Sequence, residues 1–482
     1  MTKSTINTIL IGASFLLTVS SNVLAQQNDN PNVLMIIVDD LNDWVGYSKG
    51  HPDVQTPHID KLAARGIAFT NAHCQFPVCG PSRASIFSGF RPDTTWILNN
   101  DVKSSDIEVL KKSREIGSEL LHCYFNRHGY KTMAVGKLQH RHIAKNSTEM
   151  SGGRPAAKKA PQRLSFNSKY TGTDWGIFDL KDEDTADHKS AQWAVERLKE
   201  QHNKPFMLMV GFIRPHVPWT VPKQWWELYD RDKIALAPYQ KDDLDDLPAA
   251  SIDTNLLGFM PQVEKLKKSG QLRDATHSYL AAVSFVDHKI GMVLEALDNS
   301  PYKDNTIVIL FSDHGYHIGE KGSFQKHSLW QRATCVPMII STPRMTVGKQ
   351  CHKPVELLDV YPTMLDLCGL PPNLKNEGIS LVPLLEDLDL EWDKYAITTY
   401  RKQKKHCIST AVTYVKEASH SVFGERYHYI LYHDGSEELY DLEKDPNEWQ
   451  NIASDEEMQP VKERLKKAVV ATANAAPHFD IR

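Results

Sequence analysis

Zinc-binding cysteine motifs are missing from this sequence, although seven cysteines occur among its 482 residues. Their spacings match none of the patterns that hold structural zinc. Because seven is an odd number, at least one cysteine is unpaired or has another use. The parity does not single out one residue, since Cys74 lies just before Cys79 and could pair with it. The state of Cys79 is therefore open at this point.

An excess of charge of either sign and any internal repeat are also missing. The 56 lysines and arginines against 60 aspartates and glutamates give a formal net charge of −4. This balance gives no indication of a nucleic-acid-binding surface. The shares of hydrophobic residues, 41%, and charged residues, 24%, are ordinary for a soluble globular protein. The length allows a large core and more than one domain.

Long apolar runs are missing except near the N-terminus. There, Lys3 precedes ILIGASFLLTV at residues 9–19, a run too short to span a bilayer. The small residues VLA at 23–25 stand where a signal peptidase would cut, before Gln26. We predict a signal peptide over residues 1–25, export to the periplasm or the medium, and no membrane span. The alternative for this run is a core helix.

Four apolar runs have the character of buried parallel strands. They are residues 32–40, 131–138, 205–212 and 305–315. Helical stretches alternate with them, including a short helix over 59–69 closed by Gly66 and an amphipathic helix over 277–297. The alternation predicts an α/β fold in which helices sandwich a large, mostly parallel sheet. Ligands bind at the carboxyl ends of the strands in such sheets.

The C-terminal part of the chain has a different pattern. Residues 426–442 alternate, are rich in aromatic side chains and contain an HDGS turn, which predicts an antiparallel hairpin. A helix is predicted around 455–473. We therefore divide the mature chain into a catalytic domain, 26–385, and a smaller α+β C-terminal subdomain with an antiparallel sheet, 386–482.

Carboxylates end two of the predicted strands. Asp39 and Asp40 follow the first, and Asp313 with His314 follows the last. Three carboxylates in one crevice would repel one another without a cation, and hard oxygen ligands favour Ca²⁺ or Mg²⁺ over zinc. The alternative is that these acids cap the helices that follow. Two such pairs at two buried strands make a metal site the better interpretation.

Basic side chains recur near the same strand ends and would line the crevice with cations: Arg83, Lys137, His140, His216, Lys321, Lys326 and His327. Lysine and arginine opposite a metal, with histidine as proton carrier, suit the reaction of a tetrahedral oxyanion ester. Each of these residues alone is a weak signal, because a lone lysine is usually a solvated surface residue.

The stretch CGPSRASIFSG at residues 79–89 is the most specific signal. Its first five residues resemble the C-x-P-S-R signature of the formylglycine-dependent (type I) sulfatases, which belong to the alkaline-phosphatase-like superfamily. In that family a maturation enzyme oxidises the cysteine to formylglycine (3-oxoalanine), whose hydrated aldehyde is the nucleophile. The resemblance implies that Cys79 is the precursor of this group and does not act as a thiol.

Further stretches resemble the family over most of the mature chain: TPHID at 56–60, LDVYPT at 358–363 and ELYDL at 438–442. Within the family, the chain is most similar to the iduronate-2-sulfatase branch. That similarity rests on RPDTT at 91–95, PHVP at 215–218 and DHG at 313–315.

The resemblance implies a role for each candidate residue. One calcium ion per chain would be held by Asp39, Asp40, Asp313, His314 and the oxygen of the group made from Cys79. His314 is the least usual ligand, because many sulfatases have asparagine there. The implied catalytic set is Cys79 as nucleophile, Arg83 holding the hydrated aldehyde, Lys137 and Lys326 on the sulfate oxygens, His140 as base and His216 at the leaving oxygen.

These features predict an exported sulfatase acting on a sulfated carbohydrate, either a marine polysaccharide such as ulvan or a glycosaminoglycan. The first alternative is a phosphate or phosphonate ester hydrolase of the same superfamily, which the same crevice would suit. The C-x-P-S-R stretch argues against it. The second alternative is a non-catalytic binder of sulfated glycans in which Cys79 is never converted.

A basic loop at residues 141–166 follows Lys137 and His140 and has Glu149 as its only acid. The plain interpretation is a solvated loop at the rim of the pocket. The alternative is that its cations attract a polyanionic substrate, an effect that acts over about a Debye length, ~8 Å at physiological salt.

Overall fold

The structure, a computed structural model, describes Met1 and residues 30–100, 106–141, 143, 147–156, 158, 163–165, 172–345, 347–401 and 418–475. Residues 2–25 of the predicted signal peptide, Cys407 and part of the basic loop lie outside the described residues. No helix within these ranges is long and apolar enough to cross a membrane.

The predicted strands form the centre of one large sheet. The strands of this sheet are β1 Asn32–Asp39, β2 Ile67–His73, β3 Lys131–Gly136, β4 Met150–Gly153, β6 Phe206–Pro215, β8 Thr306–Ser312, β9 Cys335–Ser341, β10 Lys349–Cys351 and β11 Val355–Glu356. The strands outside it are β5 Trp175–Ile177, β7 Trp219–Val221, β12 Ala396–Tyr400, β13 Ser419–Phe423, β14 Tyr427–Leu431 and β15 Glu437–Asp441. Along the path β10-β2-β9-β8-β1-β6-β3-β4, with β11 added beside β2, all pairs are parallel except those that β9 makes with β2 and β8. The mostly parallel sheet is confirmed.

Helices cover both faces of this sheet. They are α1 Pro57–Ala63, α2 Cys79–Ser88, α3 Pro92–Thr95, α4 Asp106–Glu115, α5 Leu121–Arg127, α6 Ala186–Lys199, α7 Lys223–Trp226, α8 Ala249–Asn255, α9 Val263–Lys268, α10 Leu272–Asp298, α11 Gln331–Thr334, α12 Val360–Leu367, α13 Val382–Glu386 and α14 Gln459–Ala475. All eight residues of β1 are buried, and its side chains alternate between two cores. One core contains α1, α6 and α10, and the other contains α2, α5 and α12, as an α/β sandwich requires.

A second, antiparallel sheet lies in the C-terminal part of the chain. Its order is β12-β13-β14-β15, and α14 packs against it through a small apolar core with Leu439, Leu465 and Val469. The predicted hairpin is β14 and β15, and the predicted C-terminal helix is α14. Both are confirmed, whereas the domain boundary at residue 386 stays a prediction.

The predicted helix over 59–69 is wrong beyond Ala63, where α1 ends. Gly66 lies directly before β2, which begins at Ile67. A Cβ atom at Gly66 would lie 2.7 Å from the backbone oxygen of Ile340, so the chain passes too close to β9 for a side chain. The apolar pattern of residues 67–69 could continue a helix, and the strand conformation is stabilised by pairing with β9 on one side and with β10 and β11 on the other.

Candidate active site

The carboxyl ends of β1 and β8 bring the two acidic pairs together. The strands are parallel neighbours in which Val38 lies opposite Ser312. The Asp313 backbone N–H donates to the Val38 carbonyl oxygen at 3.1 Å, and the Asp40 N–H donates to Asp313 Oδ1 at 3.2 Å. Asp39, Asp40, Asp313 and His314 are all fully buried. The sequence prediction that these residues share one crevice therefore agrees with their placement.

Asp40 has a left-handed backbone conformation, with φ 63°. This conformation is costly for an aspartate and persists only where its surroundings hold it. Tyr279, on α10, donates its hydroxyl to the Asp40 carbonyl oxygen at 2.9 Å and accepts the Asn42 N–H at 3.0 Å. The conformation turns the Asp40 carboxylate toward residue 79. Sequence reasoning missed Tyr279, because it is one apolar-face residue of a helix far along the chain.

Cys79 is the first residue of α2 and lies at the centre of the cluster. Its Sγ atom is 3.1 Å from Lys326 Nζ, 3.2 Å from His314 Nε2 and 3.9 Å from Asp40 Oδ1. Burial would raise the pKa of the Cys79 thiol, but Lys137, Lys326 and His314 outweigh it and lower that pKa well below its usual range. The site is thus built for a negative charge on the side chain of residue 79.

All six cysteines that the structure describes are free thiols, so Cys74 is not bonded to Cys79. The Cys74 Sγ atom lies 3.9 Å from the Ala333 carbonyl oxygen. Burial raises the pKa of Cys74 well above its usual value, in contrast to Cys79. Two buried cysteines five residues apart therefore have opposite electrostatic settings.

Arg83 lies one helical turn after Cys79 on α2 and is fully buried. Its Nε atom donates to Asp313 Oδ2 at 2.7 Å, and its Nη2 atom donates to Asp39 Oδ1 at 3.3 Å. Its Nη1 atom donates to the carbonyl oxygens of Lys137 and Leu138. The guanidinium therefore ties α2 to the ends of β1, β3 and β8, and the buried charge is compensated on every side.

Two lysines complete the cationic wall. Lys326 Nζ donates to Asp40 Oδ1 at 2.7 Å, and Lys137 Nζ donates to Asp39 Oδ2. Both side chains are buried, and burial of Lys326 is outweighed by Asp40 and Cys79, which raise its pKa well above the usual value. The Lys326 ammonium group therefore stays charged beside residue 79.

Two histidines border the same space. His216 Nε2 lies 4.0 Å from Asp40 Oδ2, and its Nδ1 atom is 2.7 Å from the Val217 carbonyl oxygen. An Nδ1–H donated to that carbonyl leaves Nε2 with a free lone pair in the neutral ring. His140 is half-buried, and burial lowers its pKa although Cys79 acts in the opposite direction. The lowered pKa of His140 favours its neutral ring, the form that can act as a base.

The acidic ligand atoms are close enough to share one cation. One potential ligand atom from each of Asp39, Cys79, Asp313 and His314 lies within 4.8 Å of all the others. Asp40 Oδ2 is buried and has no hydrogen-bond partner among the described residues. A buried carboxylate oxygen without a donor is costly and calls for a cation. Oxygen donors in this number suit Ca²⁺ or Mg²⁺.

His314 also fits a ligand role through its second nitrogen. Its Nδ1 atom is 2.9 Å from the Gly315 carbonyl oxygen, which fixes the ring and turns Nε2 toward the cluster. Burial would lower its pKa, but Asp313 and Cys79 outweigh burial and raise the pKa to about 9. A divalent ion would therefore have to displace a proton from this imidazole, because only the neutral ring is a ligand.

The structure thus brings together all ten candidate residues of the resemblance, and it places one other basic residue, Lys321, elsewhere. Lys321, which was expected to line the crevice, donates instead to Asp243 Oδ1 at 2.8 Å and to the Glu448 carbonyl oxygen. His327 stays next to the site, where its ring lies beside Tyr400 with ring centroids 6.3 Å apart, and burial with Lys326 and His314 nearby lowers its pKa to about 3. The prediction for Lys321 is wrong because the segment between Lys321 and Lys326 is irregular. Residues this close in sequence can therefore point to different partners.

The basic loop is described only in part. Arg154 Nη1 donates to the His140 carbonyl oxygen at 2.9 Å, so this arginine supports the base of the pocket. Lys158 pairs with Asp184 at the surface, with Nζ and Oδ1 2.8 Å apart. Residues 142, 144–146, 157, 159–162 and 166 of the loop lie outside the described residues. The steering hypothesis concerns the loop cations Arg154, Lys158, Lys159 and Arg163. Because Arg154 and Arg163 each donate to a backbone carbonyl oxygen, of His140 and Thr173, a test of steering is cleanest at Lys158 and Lys159.

Comparison with known proteins gives matches along nearly all of the described chain. A family model described as "Sulfatase" matches residues 31–370, and one described as "N-sulphoglucosamine sulphohydrolase, C-terminal" matches residues 319–475. A sulfatase of Formosa agariphila is 41% identical over 462 residues, which cover 93% of this chain and 87% of that protein. Human iduronate 2-sulfatase is 31% identical over 431 residues, 76% of each chain.

A solved structure of the phosphonate monoester hydrolase of Agrobacterium radiobacter has the same fold. It superimposes with a TM-score of 0.72 over 93% of this chain and 96% of its own, at 21% identity. At this identity the likeness shows the fold alone. The fold by itself therefore does not distinguish between sulfate and phosphonate esters.

Proposed function

The chain belongs to the sulfatase family, as a sulfuric ester hydrolase related to iduronate 2-sulfatase, and from this premise we propose its mechanism and its class of substrate. The proposed reaction is hydrolysis of a sulfate ester on a sulfated sugar, by a formylglycine made from Cys79 and with one bound calcium ion. The observation that supports it best is the placement of Cys79 between two basic groups and a carboxylate, with Sγ 3.1 Å from Lys326 Nζ, 3.2 Å from His314 Nε2 and 3.9 Å from Asp40 Oδ1.

The substrate class follows from the names of the relatives. Human iduronate 2-sulfatase and the N-sulphoglucosamine sulphohydrolase family both carry a sulfated sugar in their names. We extend this class to the present chain, as a sulfated marine polysaccharide such as ulvan or as a glycosaminoglycan. The loops around the pocket decide between such sugars. The proposal therefore names a class of substrate and not an individual sugar.

Residue 79 supports the formylglycine proposal through its surroundings. Its side chain faces a field that stabilises negative charge, which suits the oxygen of a hydrated aldehyde better than a neutral thiol. When formed, the hydrated aldehyde would supply one hydroxyl to attack sulfur and a second to expel sulfate. Arg83 would keep the group oriented, because it already fixes the two flanking carboxylates. A formylglycine-generating enzyme is the partner that this step requires.

Calcium is supported by two overlapping groups of close ligand atoms and by the unpartnered oxygen Oδ2 of Asp40. One group is Asp39, Cys79, Asp313 and His314, and the other is Asp39, Asp40, Cys79 and His216. When bound, the ion would polarise an oxygen of residue 79 and one of the sulfate group. The two lysines act on the substrate itself: Lys137 and Lys326 neutralise the sulfate oxygens in the attack. These ammonium groups are buried, so their charge is screened little by solvent.

The proton steps are assigned to the two histidines. Burial depresses the pKa of His140, which keeps its ring neutral and able to accept a proton from the neighbouring group at residue 79. His216, with Nε2 4.0 Å from Asp40 Oδ2, would stand at the leaving oxygen. To donate a proton to the departing sugar alcohol, His216 would have to carry a proton on Nε2 when the substrate is bound.

The test is a matched pair of buried cysteines expressed with a formylglycine-generating enzyme. Cys79→Ala and Cys74→Ala both remove a buried thiol from the tryptic peptide that spans residues 66–83. We expect the wild type to show loss of H₂S and gain of one oxygen atom at residue 79, and sulfate release from a panel of defined sulfated saccharides. Cys79→Ala should release none, and Cys74→Ala should stay active.

An unmodified Cys79 in fully active enzyme would contradict the formylglycine proposal. The same panel should contain phosphate and phosphonate monoesters, because the shared fold leaves that activity as the second candidate. Faster cleavage of the phosphonate esters than of any sulfate ester would reverse the assignment. Protein whose Cys79 stays unconverted beside an active maturation enzyme, and which binds sulfated saccharides without releasing sulfate, would instead be a glycan binder.

Export is proposed separately, from the first 25 residues alone. The expected mature N-terminus is Gln26, which N-terminal sequencing of the protein from a native-like host would identify. An uncleaved N-terminus would contradict the signal peptide.

A further inference from the structure

The segment that carries Lys326 is held on both sides of the lysine by the C-terminal part of the chain, through Glu438 on β15 and Glu448 in the turn that follows β15. Lys321, before it, donates to the Glu448 carbonyl oxygen. Trp330, after it, donates its indole Nε1–H to Glu438 Oε2 at 3.0 Å, and the Gln331 N–H donates to Glu448 Oε2 at 3.0 Å. Glu438 and Glu448 lie more than a hundred residues further along the chain. The segment is irregular, so these contacts stand in for the regular hydrogen bonds it lacks.

Glu438, on β15, is a fully buried carboxylate. Its Oε1 atom accepts the Tyr432 hydroxyl at 2.7 Å, and its Oε2 atom accepts the Tyr440 hydroxyl at 2.7 Å as well as the Trp330 indole. Burying a carboxylate is expensive unless it is fully hydrogen-bonded, and here three donors surround it. Such a group rigidifies whatever its donors belong to.

Asn255, the last residue of α8, continues the network toward Lys326. Its Nδ2 atom donates to the Tyr432 hydroxyl at 2.8 Å, and its Oδ1 atom accepts the Leu329 N–H at 3.0 Å. Its carbonyl oxygen accepts Gln325 Nε2, and Gln325 Oε1 accepts the Leu257 N–H at 3.1 Å. Asn255 therefore fixes the residue directly before Lys326 and a residue three positions after it.

The backbone beside Lys326 needs this support. His327 has a left-handed conformation with φ 64°, which is strained for a histidine and persists only where the surroundings over-determine it. The His327 N–H donates to the Pro77 carbonyl oxygen at 3.2 Å, two residues before Cys79. The strain directs Lys326 Nζ inward to within 3.1 Å of Cys79 Sγ. Release of the strain would withdraw the ammonium group from residue 79.

We propose that the buried Glu438–Tyr432–Asn255 network is a positioning device for Lys326, through which the C-terminal sheet sets the cation at the sulfate site. Glu438 is then a positioning residue that acts through the lysine and touches no reacting atom. The contribution of Lys326 to sulfate ester cleavage rests on the proposed function. The network itself and its path to Lys326 do not.

The test compares two buried substitutions in the same sheet. Glu438→Gln keeps the shape of the side chain, but its amide nitrogen cannot accept a hydrogen bond. The variant therefore loses either the bonds from Trp330 and Tyr440 or the bond from the Tyr432 hydroxyl, depending on the orientation of the amide. Val422→Ala, on β13, removes two buried methyl groups from the core with α14, which has no part in the network. Both should lower the melting temperature. We expect Glu438→Gln alone to lower kcat/KM about tenfold, equivalent to ~1.4 kcal/mol, and to weaken inhibition by inorganic sulfate.

A double-mutant cycle with Lys326→Met then separates positioning from general loosening. If Glu438 acts through Lys326, Glu438→Gln should have almost no further effect on kcat/KM in the Lys326→Met protein. The same tenfold loss in both backgrounds would overturn the proposal, and so would identical kinetics of the Glu438→Gln and Val422→Ala proteins. The formylglycine content of each variant is measured separately. This measurement distinguishes a failure of the proposed nucleophile from a failure of the positioning proposal.

Discussion

Replacing Asp287 with asparagine tests whether a buried carboxylate makes the fold less stable as pH rises. Asp287 lies on α10, is 1% exposed and accepts the N–H groups of His58 and Ile59 at 3.2 and 2.8 Å, at the start of α1. Burial raises its pKa to about 7, and the neighbouring Asp60 acts in the same direction against the two N–H donors. The folded protein therefore holds this proton more tightly than the unfolded chain, whose aspartates titrate near pH ~3.9.

The direction of the pH effect on stability follows from the number of protons that Asp287 binds in the folded and in the unfolded state. Below the unfolded pKa both states are protonated, and the group costs nothing. Between the unfolded and folded pKa values the folded state binds more protons, so stability falls as pH rises, and above pH ~7 the full penalty is present. A difference of about 3 pKa units corresponds to a penalty on the order of 4 kcal/mol. Asparagine never ionises, so the variant avoids this loss.

Asparagine also loses part of the cap, because one of its two terminal atoms is a donor that faces an N–H group, at a cost of about 1–3 kcal/mol. That cost is independent of pH. Urea unfolding between pH ~5 and ~8 should therefore show a stability difference that moves in favour of Asp287→Asn by about 3 kcal/mol. Asp298→Asn, near the end of the same helix, supplies the background slope. Equal pH slopes for wild type and Asp287→Asn would refute the reasoning.

Three further outcomes are expected. Arg83→Lys keeps the charge but loses the two-sided bridge between carboxylates, so kcat for sulfate release should fall by at least about 100-fold; near-normal turnover would contradict the role of the bridge. Removal of calcium with a chelator should abolish wild-type activity and its return should restore it, whereas Asp313→Ala should stay inactive under both conditions; full activity in chelator would rule out the metal. Replacing Lys158 and Lys159 by glutamine should lower kcat/KM on a long sulfated polysaccharide, flatten its salt dependence and spare a small monosulfated substrate; equal losses on both would contradict steering.

The parts of the site that follow strands were predictable from the sequence, because a buried run and its direction fix where the next residue lies. Asp39 and Asp313 could be placed together in this way, since apolar runs of parallel strands end on one side of a sheet. The family signature around Cys79 added Arg83 one helical turn away. The four central strands β1, β3, β6 and β8 were predictable for the same reason, whereas β2, β4, β9, β10 and β11 were not. The start of β2 was assigned to a helix, and no local pattern states the antiparallel direction of β9.

The parts that depend on long-range packing were not predictable. Tyr279 and Glu438 read as ordinary members of a helix and a strand, and only the fold shows that one holds the Asp40 backbone and the other the Lys326 segment. Lys321 was misassigned because a flexible lysine close in sequence to Lys326 reaches a different carboxylate, Asp243. Side-chain partners of irregular segments are decided by the surrounding elements and not by spacing along the chain.

The complete burial of residue 79 has a consequence for the life of the protein in the cell. No atom of Cys79 is open to solvent, and α2 is fixed in place by Arg83. If residue 79 is oxidised as proposed, the maturation enzyme has to reach it before this helix docks against the sheet. Folding and maturation then compete in time. A chain that folds first would keep an unconverted Cys79 and would have no sulfatase activity, although its fold is intact. The specific activity of a preparation would therefore report the order of two events during its synthesis.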